Sequence, residues 1–287
     1  MHFKVLWSPK AKVVLSFTVL MLLAWFYFLR PLEVSSQHFR FTATAYTSNK
    51  NEMLQGIAKG EEIYKELARI IPKKFRLSPV IKVNLNGNIW SNYSHLDENG
   101  TIQLYRSSSQ EGGYWSLFAH ELVHAVGFES AQEIGALAWS SLGFYNEGWA
   151  EYMAQELDPD KKGFPFYGFN ENMVAGYWVI HSDLSLVTLR NNHSDVNWRC
   201  LIQAYPMRAS WFRYVVEKYG MTAATTIMYS GREMTNEVVE EILGESLQVI
   251  DQDWKRWVLR NYKNTPESDK HISEYLRMVS YYQPCQG

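Results

Sequence analysis

Cysteine is nearly absent: Cys200 and Cys285 are the only two in 287 residues. A chain of this length has ample material for a core, which excludes a mini-protein stapled by disulfides. Neither sign of charge dominates, with 28 Lys and Arg against 30 Asp and Glu. The imbalance that exists is local, because residues 1–30 hold four Lys or Arg and no acid, leaving 24 basic against 30 acidic residues beyond them. Such a body is poorly suited to nucleic acid, and no nucleic-acid partner is expected. No repeat or low-complexity tract is present. What the chain does have is apolar and aromatic mass, 46% hydrophobic residues with Phe 14, Trp 11 and Tyr 18, a composition that argues against disorder.

One uncharged run stands out, residues 13–29 (VVLSFTVLMLLAWFYFL), preceded by Lys4, Lys10 and Lys12 and closed by Arg30 and Pro31. As a helix it would rise roughly 25 Å, just enough for the hydrocarbon of a bilayer. It predicts a single-pass signal anchor, with the Lys-rich N-terminus cytoplasmic and the body periplasmic or extracellular, so that the membrane is a partner through this helix. The alternative is a cleaved signal peptide with Val34, Ser35 and Ser36 as the small-residue site and a secreted product. Either reading exports residue 37 onward and makes a Cys200–Cys285 bridge chemically permissible, although spacing does not establish that their Cα atoms approach.

Residues 38–46 (HFRFTATAY) alternate like a strand, and 53–71 have helical periodicity ended by Pro72. Residues 80–85 (VIKVNL) alternate again before Asn-Gly-Asn at 86–88, and 101–106 (TIQLYR) form a third short strand. Most of 114–157 and 205–280 reads as helix. The expected fold class is α+β: a tail, transmembrane helix and linker over 1–36, then one domain over 37–287. That domain has a strand-containing part (38–113) and a mainly helical part (114–287).

The sharpest feature is His120-Glu121-Leu122-Val123-His124 within the apolar stretch 114–126. Four residues are a little over one helical turn, so both imidazoles share a face, about 5–6 Å apart at Cβ, and can chelate one ion. Neutral imidazole suits zinc, and Glu121 is placed to take a proton from a water at the metal. The competing reading is a pair of core histidines with hydrogen-bond partners. Burying two His and a Glu in an oily helix without a metal would cost several kcal/mol, which counts against it. A third His at HExxHxxGxxH spacing is ruled out, since position 130 is Ser130. The segment 146–151, NEGWAE, offers Glu147 to complete the site and Glu151, one turn on, to hydrogen-bond a ligand imidazole. A solvated helix face is the bland alternative, opposed by neighbouring Trp149, Ala150, Tyr152 and Met153.

HELVH at 120–124 followed by NEGWAE at 146–151 resembles the gluzincin metallopeptidases, in particular the peptidase MA-like family and, more distantly, aminopeptidase N-type enzymes. The resemblance implies a thermolysin-like zincin catalytic domain with a zinc cleft between its two parts and one zinc ion held by His120, His124 and Glu147. It also implies Glu121 as general base and Glu151 as the carboxylate behind a ligand ring. The spacer from His124 to Glu147 is 22 residues, against eighteen in most aminopeptidase N-type enzymes. Tyr205, followed by Ala209 and Phe212, matches the family's Y-x3-[GA]-x3 helix start, whose Tyr donates to the oxyanion; the likeness extends over about 38–260. The implied function is a membrane-anchored zinc metallopeptidase, a hydrolase of peptide or protein substrates. The alternative is an inactive zinc-containing binding module on the extracytoplasmic side. The G-x-M-E-N segment of the aminopeptidases is absent, which disfavours an exopeptidase acting on N-termini. TIQLYR is expected as an edge strand that aligns an extended substrate. His181, His193 and Arg208 are candidates to line the cleft, with Phe164, Phe166, Tyr167 and Phe169 a candidate apolar pocket; ordinary solvation, ion pairing or packing is the rival reading of each. No oligomeric state is implied.

Overall fold

In the computed structural model the described residues are 9–26, 30–75, 77–86, 94–105, 117–128, 143–157, 171–182, 185–186, 198–261 and 266–279. Alternation along β2 (Phe39–Thr44) buries Phe39, Phe41 and Ala43 on one face. β1 (Pro31–Ser35) pairs antiparallel to β2, and β3 (Ile81–Asn86) pairs parallel to it with Phe41 opposite Val83. β5 (Thr101–Tyr105) runs parallel to β3, and the two-residue β4 (His95–Leu96) closes the far edge, giving the order β1-β2-β3-β5-β4.

The parallel neighbours β2 and β3 require a crossover, supplied by α2 (Lys50–Ile70). This helix starts at Asn49, whose side chain accepts from the Glu52 N–H at 3.0 Å, and stops at Ile71 just before Pro72. It lies close on the sheet because Gly60 has no side chain; a Cβ there would come within 2.9 Å of the Phe39 ring. The buried helix α3 (Phe118–Val126) packs beside it, with Phe118 against the rings of Phe39 and Phe41. Its far end is pinned by Ser78, whose Oγ donates to the Ala125 carbonyl at 3.0 Å and whose N–H donates to that of Val126 at 3.1 Å.

Outside α3 come α4 (Gly143–Leu157), α5 (Glu171–His181) and α6 (Trp198–Tyr219), followed by α7 (Met221–Tyr229), α8 (Asn236–Leu243), α9 (Leu247–Asn261) and α10 (Pro266–Val279). α4 is packed between α3 and α6, and the Trp149 indole donates to the Tyr229 hydroxyl at 3.0 Å to hold α7 against it. Arg213 on α6 ties the three helices together through Glu156 and the buried Glu171.

The expected topology at the N-terminus is corrected. Among the described residues no helix is long and apolar enough to cross a membrane. α1 (Pro9–Ala24) has 16 residues and ends within the uncharged run, five residues before Leu29. Trp25 and Phe26 leave α-helical geometry, and by Pro31 the chain is already in β1. The single-pass anchor read from 13–29 therefore does not hold. The supposed linker and cleavage site are an edge strand and its turn. The fold class is corrected with it, to a mixed α/β architecture of ten helices and a five-stranded sheet among the described residues, with parallel pairs at the sheet's centre and no membrane helix. TIQLYR is not an edge either: β4 pairs with β5, and the Tyr105 N–H donates to Ser94 Oγ at 3.2 Å.

Candidate metal centre

Every residue of α3 from Phe118 to Val126 is buried, so the helix carries His120, Glu121 and His124 inside the protein, where unsatisfied polar groups are costly. The two rings stand edge to face, centroids 4.7 Å apart, and their Nε2 atoms approach to 3.0 Å. α4 runs across α3 and brings the Glu147 carboxylate to the same point, Oε2 lying 3.2 Å from His120 Nε2 and 3.6 Å from His124 Nε2. His120, His124 and Glu147 are thus gathered so that they could bind a metal ion. Residues 23 apart in sequence meet here because α4 packs directly on α3.

The other nitrogen of each ring is held from behind. His120 Nδ1 lies 2.9 Å from Glu151 Oε1, a carboxylate with no exposed surface, and His124 Nδ1 lies 3.1 Å from Asn146 Oδ1. Both contacts favour the tautomer with the proton on Nδ1, leaving an Nε2 lone pair facing the shared point. Asn146, Glu147 and Glu151 lie within six residues of α4, Glu147 and Glu151 one turn apart, so a single helical stretch of the sequence provides one ligand and both supports.

Burial and the charges within the cluster set its electrostatics. Burial opposes a charge on His120, but the Glu151 carboxylate, then Glu147 and Glu121, raise its proton affinity well above that of an ordinary imidazole. Burial likewise works to raise Glu147, and the His124 and His120 rings outweigh it, holding the carboxyl well below the usual range. Glu151 is pushed up, chiefly by burial. Glu121, one residue beyond the first ring, is also pushed up by burial and by the charge of Glu147, with the two rings pulling the other way. A metal ion that binds these groups would compete with the protons they hold.

Tyr205 reaches the site from α6. Its ring centroid is 6.1 Å from that of His120, and its hydroxyl hydrogen-bonds Glu147; burial and that carboxylate push the phenol well above its ordinary range. It does not begin the helix, as the family pattern implied: α6 starts at Trp198, and Pro206 sits inside it. Pro206, the ninth residue of the helix, has no N–H for the carbonyl of residue 202. Arg208, one turn on, has 0% exposure and so cannot meet a substrate carboxylate; it faces the Tyr205 ring at 5.8 Å and lies in the field of Glu147. His181 is exposed at the end of α5, its ring tilted against that of Tyr177 with centroids 4.4 Å apart. Ser130, Phe164, Phe166, Tyr167, Phe169, His193 and Cys285 lie outside the described residues.

Two neighbours were not expected from sequence. Asn146 opens the NEGWAE segment, and its position one residue before a ligand is the signal that could have marked it. His95, on β4 and stacked against Tyr105, lies close enough to Glu121 to lower its proton affinity, and nothing in the local sequence pointed to it. No family model matches the chain, and no curated protein is significantly similar to it.

Proposed function

We propose that the chain is a zinc-dependent peptidase that hydrolyses peptide bonds in peptide or protein substrates. The observation that carries the reading is the donor geometry. Three atoms, two imidazole nitrogens and a carboxylate oxygen, are separated by 3.0, 3.2 and 3.6 Å. The edges of a tetrahedron with the bond lengths usual for zinc, about 2.0–2.1 Å, are roughly 3.3–3.4 Å. Two imidazoles and one carboxylate also make the donor set of catalytic zinc sites that keep a fourth position open. A bound zinc ion would supply Lewis acidity to a substrate carbonyl and acidify a neighbouring water.

The residues of the chain divide the remaining work. Glu121 lies on the ligand helix but is not itself one of the three donors; its raised proton affinity suits a base that takes the proton of the attacking water and returns it to the leaving amine. Tyr205, with its proton firmly held, is a hydrogen-bond donor to the carbonyl oxygen as negative charge builds there. Glu151 and Asn146 keep the two rings in the tautomer that ligation needs. The resemblance of HELVH and NEGWAE to the gluzincins supports the same assignment.

Glu121→Gln tests it. The variant is expected to retain one zinc per chain and to lose hydrolysis of a mixed peptide library by about 10²–10⁴-fold, the usual worth of a positioned proton carrier. Undiminished hydrolysis by that variant would remove the mechanism. A wild type that holds zinc and cleaves nothing would instead favour a zinc-containing binding module.

A further inference from the structure

Gly148 follows the ligand Glu147 on α4, and nothing about its backbone calls for glycine, since it sits inside a regular helix. What calls for it is α6. A Cβ at Gly148 would stand 2.7 Å from Arg208 Cβ, 2.9 Å from the Arg208 carbonyl oxygen and 3.0 Å from the carbonyl carbon. Two of those three atoms are backbone and cannot rotate aside. The crossing of α4 over α6 is therefore closer than any side chain at 148 would permit, and it lies immediately beside the point where Glu147 of one helix meets Tyr205 of the other.

Arg208 completes the arrangement. Its guanidinium is sealed from solvent and lies over the Tyr205 ring at 5.8 Å, while the opposite charge nearest to it in effect is that of Glu147. A permanently charged group is costly to bury, so its place behind the metal ligand rather than at the surface is specific. The same residue thus carries the backbone that Gly148 admits and the guanidinium that lies over the Tyr205 ring.

We propose that Gly148 and Arg208 are positioning residues: their contact sets the gap between the helix bearing the metal ligand and the helix bearing Tyr205, and so brings the Tyr205 hydroxyl onto the metal site. The three ligands themselves lie on α3 and α4 and do not depend on that gap. Ordinary carbon contacts of about 3.5–4.0 Å mean that a methyl at 148 parts the helices by roughly 0.5–1 Å. A misplacement of that size costs about 10²-fold in a positioned reaction.

The test uses the full chain in four forms: wild type, Gly148→Ala, Tyr205→Phe and the double variant. Cobalt(II) is the probe, because its visible absorption reports the field of its ligands and Tyr205 hydrogen-bonds one of them. Gly148→Ala and Tyr205→Phe are expected to change the spectrum alike, with no further change in the double variant, and zinc affinity is expected to stay within about threefold in Gly148→Ala. Turnover, the one arm that rests on the peptidase reading, is expected to fall about 10²-fold in kcat with KM held, and Gly148→Ala is expected to cost nothing more once Tyr205 is Phe. Should Gly148→Ala fail to fold, Arg208→Lys, which keeps the charge but loses the flat face over the ring, is read by the same pattern. Independent, multiplying effects of the 148 and 205 substitutions, or a cobalt spectrum untouched by either, would overturn the positioning role. A wild type without hydrolysis but with the spectral pattern intact would overturn the peptidase reading and leave the positioning role standing.

Discussion

At the scale of single residues, the site depends on which atom of each ring is free. Glu151 lies 2.9 Å from His120 Nδ1 and has no solvent to turn to, so it fixes both the proton and the ring plane. Glu151→Gln keeps the shape and loses the charge; zinc affinity, measured by competition with a chromophoric chelator, should fall about 10–100-fold. Unchanged affinity would make Glu151 a packing residue. The HExxH spacing announced His120 and His124 because period and chemistry coincide on one turn of helix, and Glu147 and Glu151 were legible for the same reason. Arg208 was not, since an arginine on an amphipathic helix has no sequence mark that tells a buried one from a solvated one. Its burial is decided by α4, more than fifty residues earlier in the chain.

At the scale of elements, the first turn of the sheet is locked to the crossover helix by a compact polar cluster. Ser36 Oγ donates to Glu61 at 2.6 Å, the His38 N–H donates to the same oxygen at 3.1 Å, and His38 Nδ1 lies 2.7 Å from the other oxygen. Burial tends to raise the Glu61 carboxyl, but the His38 and Ser36 hydrogen bonds outweigh it and hold its proton affinity below the ordinary 4.5. The sign follows: a depressed carboxyl stabilises the fold above its unfolded value, and that contribution is lost as the pH falls through the lower folded value. Glu61→Gln should therefore cost about 1 kcal/mol at pH 7, measured by urea denaturation, and the gap to wild type should close below pH 4.5. A gap that stays constant with pH would show that the charge of Glu61 contributes nothing. This cluster hangs on β1, an element hidden from the sequence reading because the long apolar run drew Pro31 to Ser35 into a linker. β2, α2, β3 and β5 were legible within a few residues, each having a clear period and an end signal such as Asn49 or Pro72.

At the scale of the whole molecule, the candidate site joins two layers. Its two rings sit on a helix packed on the sheet, and its carboxylate sits on a helix packed against α6 and, through Trp149, held to α7. An ion bound by all three binds only the folded chain, so it adds to stability in proportion to the logarithm of its concentration over Kd. Zinc is expected to raise the unfolding midpoint, a chelator to lower it, and His124→Ala to abolish the difference, all by differential scanning calorimetry. A midpoint indifferent to zinc would mean that no such bridge between the layers forms. That the strands come before residue 113 and most helices after it was legible in the change of pattern; which helix packs on the sheet and the mixed parallel strand order were not, because they rest on contacts that local patterns do not encode.

The central claim is a single ion held by two rings of one helix and a carboxylate of the next. X-ray absorption at the zinc edge of the stoichiometrically loaded protein reads those neighbours directly. The expected result is two imidazoles per zinc with the remaining neighbours oxygen, all at about 2.0–2.1 Å. Zinc surrounded by oxygen alone, or by sulfur, would contradict it.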